Sequence, residues 1–224
     1  MKSEKDPLYT FANLPPNIET RLRTLLHVHS FSAGDSVFVQ GAKAEAVYLV
    51  ASGLVKVVRV TPEGYESVLC VRRAGDYFCP VPLLDRGAQL GTAVAISDVT
   101  LFSIERTAFN ELCQESSELL AIVQGDCLGE VRRLLNRLET FAFRTIKERL
   151  AIALLREIRH QETYNSSSKE IHLTQKDLAG LVGASRERVS RILKEFERNG
   201  IVILKRGRII LLDFDYLKKL AKEV

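Results

Sequence analysis

The sequence predicts an α+β fold in three parts: an N-terminal antiparallel β-barrel or jelly roll, a long helix, and a C-terminal group of short helices closed by a β-hairpin. Three observations predict it. Short apolar runs separated by glycine turns fill residues 31–109, an apolar period of three and four residues follows from Leu120, and glycines divide residues 172–212 into short segments. Short apolar runs between turns are typical of strands, whereas an apolar period of three and four residues is typical of a helix. We expect the parts to span residues 1–110, 111–143 and 144–224.

The composition is that of an ordinary globular protein and indicates its compartment. Of 224 residues, 46% are hydrophobic and 27% are charged, which excludes a disordered chain. Nowhere do eighteen apolar residues run together, so no membrane partner is expected. The first 30 residues lack the apolar core of a signal peptide. The four cysteines are widely spaced and form no CxxC pair, which is typical of a reducing cytoplasm.

Charge is unevenly distributed along the chain. The net charge is only +4, but residues 1–140 contain 14 Lys and Arg against 17 Asp and Glu, whereas residues 141–224 contain 18 against 11. The basic C-terminal third indicates a polyanion-binding module on a slightly acidic body. The chain shows no paired carboxylates, metal-spaced histidines or nucleophile elbow, so an enzyme is not expected.

The N-terminal part has the pattern of a β domain. Its apolar runs, such as residues 47–50 and 54–58, end at Gly53 and at a turn containing Gly64. Closely spaced strands with turn residues between them are typical of a sandwich or barrel rather than of alternating strands and helices.

The long helix carries one near-heptad apolar seam, interrupted by charged residues. Its members are Leu120, Val123, Cys127, Val131, Leu134, Leu138 and Phe141. The seam favours pairing with a second copy of the helix over packing on the β domain. Gly125 and Gly129 weaken the helix interior. A further helix is predicted over residues 144–160, after a hinge near residues 140–145.

The C-terminal part predicts a helix-turn-helix. Thr174 followed by Asp177 indicates a helix start, Gly183 ends that helix, and Ser185 begins another with an amphipathic pattern. The polar side of the second helix carries Arg186, Glu187, Ser190 and Arg191 at its N-terminal end. In helix-turn-helix proteins this end reads bases, and arginine and glutamate match guanine and cytosine. The alternative is a solvated face with intrahelical ion pairs; the short-helix pair favours base reading.

A charged hairpin follows the helix pair. Apolar residues 201–204 and 209–212 predict two strands, joined by a turn that carries Lys205, Arg206 and Arg208. Next to a helix-turn-helix, such a hairpin is typical of a wing that contacts DNA phosphates. We expect phosphate contacts from these three cations and from Thr174 and Gln175.

Residues 173–193, LTQKDLAGLVGASRERVSRIL, resemble the DNA-binding signature of the Crp/Fnr family of bacterial transcription regulators. Glycines 34, 41, 53 and 75 and the long helix extend the resemblance to nearly the whole chain. It implies a sensor domain like a cyclic-nucleotide-binding domain, a dimerising helix and a winged helix-turn-helix. The expected partners are double-stranded DNA with palindromic TGA-containing half-sites, a second copy of the chain, RNA polymerase and a small-molecule effector.

The same resemblance assigns the effector pocket. Its residues are Gly75, Cys79, Pro80, Leu90, Gly91, Thr92, Leu134 and Leu135. Cyclic-nucleotide members have Gly-Glu and then Arg-Ser or Arg-Thr where this chain has Cys79-Pro80 and Leu90-Gly91. A cyclic phosphate needs a cation or N–H donors, so cyclic AMP (cAMP) is not expected. An iron–sulfur cluster is not expected either, because the first cysteine is Cys70.

Cys79 has three interpretations: a small buried apolar residue, a haem ligand, or a redox-active thiol. Carbon-monoxide-sensing relatives place a haem-ligating cysteine at the matching position, although the histidine that they use two residues later is Val81 here. Haem is therefore a candidate cofactor. A small-molecule-binding protein with incidental DNA contact is a further alternative.

Overall fold

The chain folds into two compact units. The computed structural model describes residues 8–11, 14–62, 66–78, 80–163 and 169–221. Packing divides the chain into a first unit, Met1–Arg133, and a second unit, Leu134–Val224. Both units combine helices with antiparallel sheet, which confirms the α+β class. Among the residues that the structure describes, none of the helices combines the length and the apolar character of a membrane span.

The first unit is built on two four-stranded antiparallel sheets, ordered β1-β8-β3-β6 and β2-β7-β4-β5. The strands are β1 (His27–Phe31), β2 (Ser36–Phe38), β3 (Ala46–Ser52), β4 (Leu54–Val60), β5 (Glu66–Arg73), β6 (Tyr77–Phe78), β7 (Thr92–Ala95) and β8 (Val99–Glu105). Val50 and Leu101 from the first sheet pack against Val55 and Ala93 from the second, so a core lies between the sheets. This arrangement confirms the predicted barrel or jelly roll.

Helices cover the other side of the β1-containing sheet. They are a 3-10 turn (Tyr9–Phe11), α1 (Pro16–Thr24), the short α2 (Val81–Leu84), α3 (Arg106–Glu115) and α4 (Ser117–Phe143). The sequence predicted one helical segment over residues 111–143, whereas the structure has two helices. Ser116 adopts extended backbone angles and separates them. Its hydroxyl accepts the Leu119 N–H at 3.2 Å, so it stabilises the start of α4.

The predicted seam of α4 does not face one environment. Val123 is fully buried in the core of the first unit, and Leu120 is half-buried against the same core. Val123 is therefore not available to a second subunit, which corrects the seam near its start, and Leu120 is partly covered by the same core. The exposed apolar residues of α4 begin later and are Leu128, Val131, Leu134, Leu135, Leu138 and Phe143, which are between 48% and 80% exposed.

The second unit contains the end of α4 and the predicted helix-turn-helix. Its elements are α5 (Ile146–Thr163), β9 (Glu170–Ile171), α6 (Gln175–Val182), α7 (Arg186–Arg198), β10 (Val202–Lys205), β11 (Arg208–Leu211) and α8 (Phe214–Ala221), with a sheet ordered β10-β11-β9. The break between α4 and α5 lies at residues 144–145, within the predicted hinge. The packing boundary lies ten residues earlier, inside α4, because Arg137 and Phe141 contact other elements of the second unit.

Candidate nucleic-acid interface

The first helix of the pair, α6, begins at a reciprocal cap. The Thr174 hydroxyl accepts the Asp177 N–H at 3.1 Å, and the Asp177 carboxylate accepts the backbone N–H and the hydroxyl of Thr174 at 3.1 and 2.6 Å. Asp177 is buried, which fixes the cap against the domain. Thr174 remains exposed at the helix N-terminus, where backbone N–H groups favour an anion. The predicted helix start is confirmed.

The turn between α6 and α7 depends on a left-handed glycine. Gly183 ends α6 with φ of 61° and ψ of 52°, and its N–H bonds to the Ala179 carbonyl. A side chain at Gly183 would be strained and would also lie 2.8 Å from the Phe141 ring. Ser185 then caps α7 by accepting the Arg188 N–H at 3.3 Å. The turn therefore fixes the direction in which α7 leaves α6, as the sequence predicted.

The second helix, α7, has an apolar and a charged face. Val189, Leu193 and Phe196 are fully buried in the second unit. The structure brings the four predicted base-reading residues to the outward side: Arg186, Glu187 and Arg191 are exposed and Ser190 is half-buried. The exposed cations Arg188 and Lys194 of this helix were missed. Lys194 could have been found, because it follows Ser190 by four residues and Arg191 by three.

Glu187 is held as an ionised acceptor at the start of α7. Its own backbone N–H, the Ser185 hydroxyl and the charge of Arg186 hold the pKa of its carboxyl below the ordinary value. An ionised carboxylate accepts hydrogen bonds and donates none. Glu187 can therefore accept from an amino group, such as that of cytosine, while Arg186 and Arg191 can donate to guanine.

The wing is a tight hairpin with cations at its tip. Lys205 pairs with Arg208 across the turn, and Gly207 takes a positive φ of 74°. The strands begin and end one residue from the predicted bounds. Lys205 and Arg206 are exposed, whereas Arg208 bonds the Glu170 carboxylate of β9 at 2.9 Å. Sequence reasoning missed this ion pair, which partly neutralises one of the three predicted phosphate-binding cations.

A groove of about 460 Å³ lies between the wing and the start of α6. Its polar lining consists of Thr174, Gln175, Lys176, Arg186, Lys205, Arg206 and Arg208. The structure thus brings all five predicted phosphate-contacting residues to one place and adds Lys176 and Arg186. The five cations among these residues and the N-terminus of α6 make the groove attractive to a polyanion.

The predicted effector residues lie in varied environments. Gly75 turns the chain with φ of 90°, and its carbonyl accepts the Thr10 hydroxyl. Leu90 is 53% exposed. Gly91 packs on β4, because a Cβ there would come within 2.6 Å of the Val58 carbonyl oxygen. The Thr92 hydroxyl accepts the Gln40 N–H at 3.0 Å.

Three other predicted effector residues are described by the structure. Leu134 and Leu135 belong to the second unit and are 48% and 59% exposed. Pro80 stands directly before α2. Cys79, with its three interpretations, lies outside the described residues.

A half-buried ion pair joins β5 to α4 in the first unit and was missed by sequence reasoning. The Arg72 guanidinium bonds the Glu130 carboxylate, and Arg133 bonds the same carboxylate at 2.8 Å. Burial opposes the ionisation of Glu130, but the hydrogen bond from Arg133 and the charge of Arg72 outweigh it, so its pKa lies below the ordinary value. The only signal in the sequence was an arginine directly after the apolar run that ends at Val71.

The cysteines that the structure describes are thiols rather than thiolates. Burial raises the pKa of Cys70 and Cys127, and it raises the pKa of Cys113 to about 11. Protonated, shielded thiols are weak nucleophiles and poor metal ligands. Within the described ranges, no group of three or more His, Cys, Asp and Glu side chains could hold a metal ion.

Comparison with known proteins identifies both parts of the chain. Residues 28–116 match the cyclic nucleotide-binding domain model, and residues 148–220 match the Crp-like helix-turn-helix domain model. The cyclic AMP receptor protein of Thermus thermophilus is 30% identical over 195 residues, covering 85% of this chain and 86% of the relative. A CRP-like cAMP-activated global transcriptional regulator of Mycobacterium tuberculosis is 28% identical over 214 residues, covering 95% and 96%.

Solved structures agree with these matches. A CRP/FNR-family transcriptional regulator from Thermus thermophilus superposes with a TM-score of 0.72 at 28% identity, covering 88% of this chain and 99% of that one. The Mycobacterium tuberculosis relative and this solved structure are both named transcriptional regulators rather than enzymes. With a cyclic-nucleotide-binding-like domain followed by a DNA-binding helix-turn-helix, the chain belongs to the Crp/Fnr family of bacterial transcription regulators.

Proposed function

We propose that the protein is a cytoplasmic homodimer that binds palindromic DNA, recruits or blocks RNA polymerase, and responds to an effector other than cyclic AMP. The observation that carries the proposal is the outward face of α7, where two arginines flank an ionised glutamate beside a cationic groove. Such a face combines base reading with phosphate contact, which is the division of labour of sequence-specific DNA binding.

The side chains of α7 match a TGA-containing half-site. Arg191 and Arg186 each offer a planar pair of donors for the two acceptors of guanine, and Glu187 accepts from a cytosine amino group. Resemblance to the family assigns Glu187, Ser190 and Arg191 to a TGA core, and Arg186 favours a TGTGA-like form. The groove beside them would hold the DNA backbone through Lys205 and Arg206.

The exposed stripe of α4 supports dimerisation. Leu128, Val131, Leu135 and Leu138 follow one another by three, four and three residues and are 52–64% exposed. This is the spacing of a coiled-coil seam, and a monomer would leave it in water. A two-fold dimer built on this seam presents one α7 to each half of a palindrome.

Cyclic AMP is not the proposed effector, although the relatives named above are called cAMP-activated or cyclic AMP receptor proteins. Leu90 and Gly91 stand where cyclic-nucleotide members place an arginine and a hydroxyl, and neither has a side chain that can bond a phosphate. Arg72, a half-buried cation of this domain, already bonds Glu130. Haem on Cys79 is the second candidate, favoured by the matching cysteine of carbon-monoxide-sensing relatives. A Soret band in the freshly purified protein would support it.

Fluorescence anisotropy tests the proposed function. Labelled TGTGA and TTGAT palindromes and a scrambled duplex are titrated at low and at physiological salt, with and without cyclic AMP. We expect tight binding to one palindrome, weaker binding to the scrambled duplex, and no response to cyclic AMP. Equal affinity for all three duplexes at both salt concentrations would refute sequence-specific recognition. A large gain in affinity with cyclic AMP would refute the effector proposal alone.

A further inference from the structure

The end of α4 holds the helix-turn-helix through one guanidinium. The Nη2 of Arg137 lies 3.0 Å from the carbonyl oxygen of Leu181 and 3.3 Å from that of Gly180. Both carbonyls belong to the last turn of α6, where the helix dipole is negative and carbonyls lack helical partners. A cation that donates to both stabilises the end of α6 and ties it to α4.

A ring beside this guanidinium brings in two more elements. Two guanidinium groups lie over the Phe141 ring. The Arg137 guanidinium is 5.1 Å from the ring centre, and the guanidinium of Arg149, on α5, is 4.9 Å from the ring centre. Cations over an aromatic face are attracted to it. The ring also lies against Gly183, in the turn before α7. The ends of α4 and α6, the start of α5 and the turn before α7 therefore meet at Arg137 and Phe141.

We infer that Arg137 is a positioning residue for DNA recognition: it fixes the angle between α4 and α7. The inference rests on the proposed dimeric DNA binding. Arg186, the first residue of α7, follows Gly183 by three positions, so the turn held by Arg137 and Phe141 directs α7. Leu134 and Leu138, on the same turns of α4, are exposed, and Leu138 belongs to the seam proposed above for the dimer. Arg137 thus links the dimer seam to the base-reading helix.

This role makes a distinctive prediction about binding geometry. The Arg137 guanidinium is engaged by carbonyls and an aromatic ring, so it does not serve as a phosphate contact. Its loss should leave the contacts between one α7 and one half-site intact. The separation and orientation of two α7 helices would become less fixed, so the gain from binding both half-sites at once would fall.

The test compares Arg137→Gln with Arg132→Gln in the full-length protein. Arg132 is an exposed cation on the same helix and serves as the matched control. Each is titrated against a full palindrome, against a single half-site, and against palindromes whose half-sites are one base pair closer or farther apart. Arg137→Lys, which keeps the charge but not the planar fork, is a second variant. Circular dichroism confirms that each variant is folded.

We expect Arg137→Gln to bind the palindrome about tenfold to hundredfold more weakly than the native protein and to bind the half-site with unchanged affinity. The salt dependence of its affinity should be unaltered, and its affinity should vary less with the spacing between half-sites. Arg137→Lys should fall between it and the native protein, and Arg132→Gln should match the native protein on every duplex. Equal losses on palindrome and half-site, or no loss on either, would overturn the positioning role. A native protein that does not prefer the palindrome to scrambled DNA would instead refute the proposed function, and this inference with it.

Discussion

Truncation of Leu128 should weaken the dimer, because its side chain is apolar and 64% exposed on α4. The change Leu128→Ala removes most of that surface without adding charge. Alanine is also the best helix former, so α4 itself is preserved. Any loss of self-association in this variant would therefore come from the helix surface and not from a broken helix.

The size of the effect follows from the exposed fraction. Full burial of a leucine side chain contributes about 1.5–3 kcal/mol, so burial of the exposed 64% by a partner contributes about 1–2 kcal/mol. A two-fold axis applies the change twice, which raises the loss to about 2–4 kcal/mol per dimer. Since each 1.4 kcal/mol is about a tenfold change, the dimer dissociation constant should rise about 30- to 700-fold.

Sedimentation equilibrium measures this constant directly. Val28→Ala is the matched control, because Val28 is 63% exposed but lies on β1 rather than on α4. We expect Leu128→Ala to dissociate at concentrations where the control and the native protein remain dimeric, and to lose palindrome binding under dilution. A dissociation constant equal to that of the control would show that this stripe is not the dimer interface.

Three further perturbations test the DNA-binding surface and the internal contacts. Arg191→Ala should lose about 1–3 kcal/mol of discrimination at the base that it reads, whereas Arg206→Ala should weaken all sequences alike and lower the salt slope by about 1 per protomer; anisotropy with single-base operator variants separates the two. Glu130→Gln should lower the free energy of unfolding by about 2 kcal/mol at pH 7, since it removes the carboxylate charge that the half-buried Arg72 bonds. Because the pKa of Glu130 is depressed in the fold, its contribution to the stability of the native protein should be complete above the ordinary pKa of 4.5 and should be lost as the pH falls further. The variant lacks this carboxylate, so its urea midpoint should fall less between neutral and acidic pH. Gly183→Ala should lose about 2 kcal/mol, more than Gly200→Ala, because both glycines have a positive φ but only the first has a ring 2.8 Å from the new Cβ; equal melting temperatures would contradict this.

The helix-turn-helix was predictable because its signals are local. A cap at Thr174, a glycine at the turn and a cap at Ser185 each act within four residues, and each has the predicted hydrogen bond or backbone angle in the structure. The outward residues of α7 followed from the helical period alone. The wing was found by the same logic, since a glycine near two short apolar runs specifies a hairpin without reference to distant residues.

The ion pairs were not predictable from such signals. Arg72 and Glu130 are 58 residues apart, and Arg208 and Glu170 are 38 apart. Whether a charged side chain meets an opposite charge or solvent depends on how β5 packs on α4 and β9 on β11. A local hydrophobic period carries no information about this packing. The same limit applies to Arg137, whose partners on α6 lie more than forty residues away.

The seam of α4 shows why a correctly predicted helical period can still assign some side chains to the wrong surface of the helix. An α-helix has 3.6 residues per turn, so a heptad pattern drifts by about 20° per repeat, or about 60° over the three heptads from Leu120 to Phe141. A line of apolar residues that starts against the first-unit core at Val123 therefore turns away from it further along. The chain supplies a second line there, Leu128 and Leu135, which the single predicted seam left out. One helix can thus belong to the first-unit core at its start and, by the proposal above, to a dimer interface at its middle.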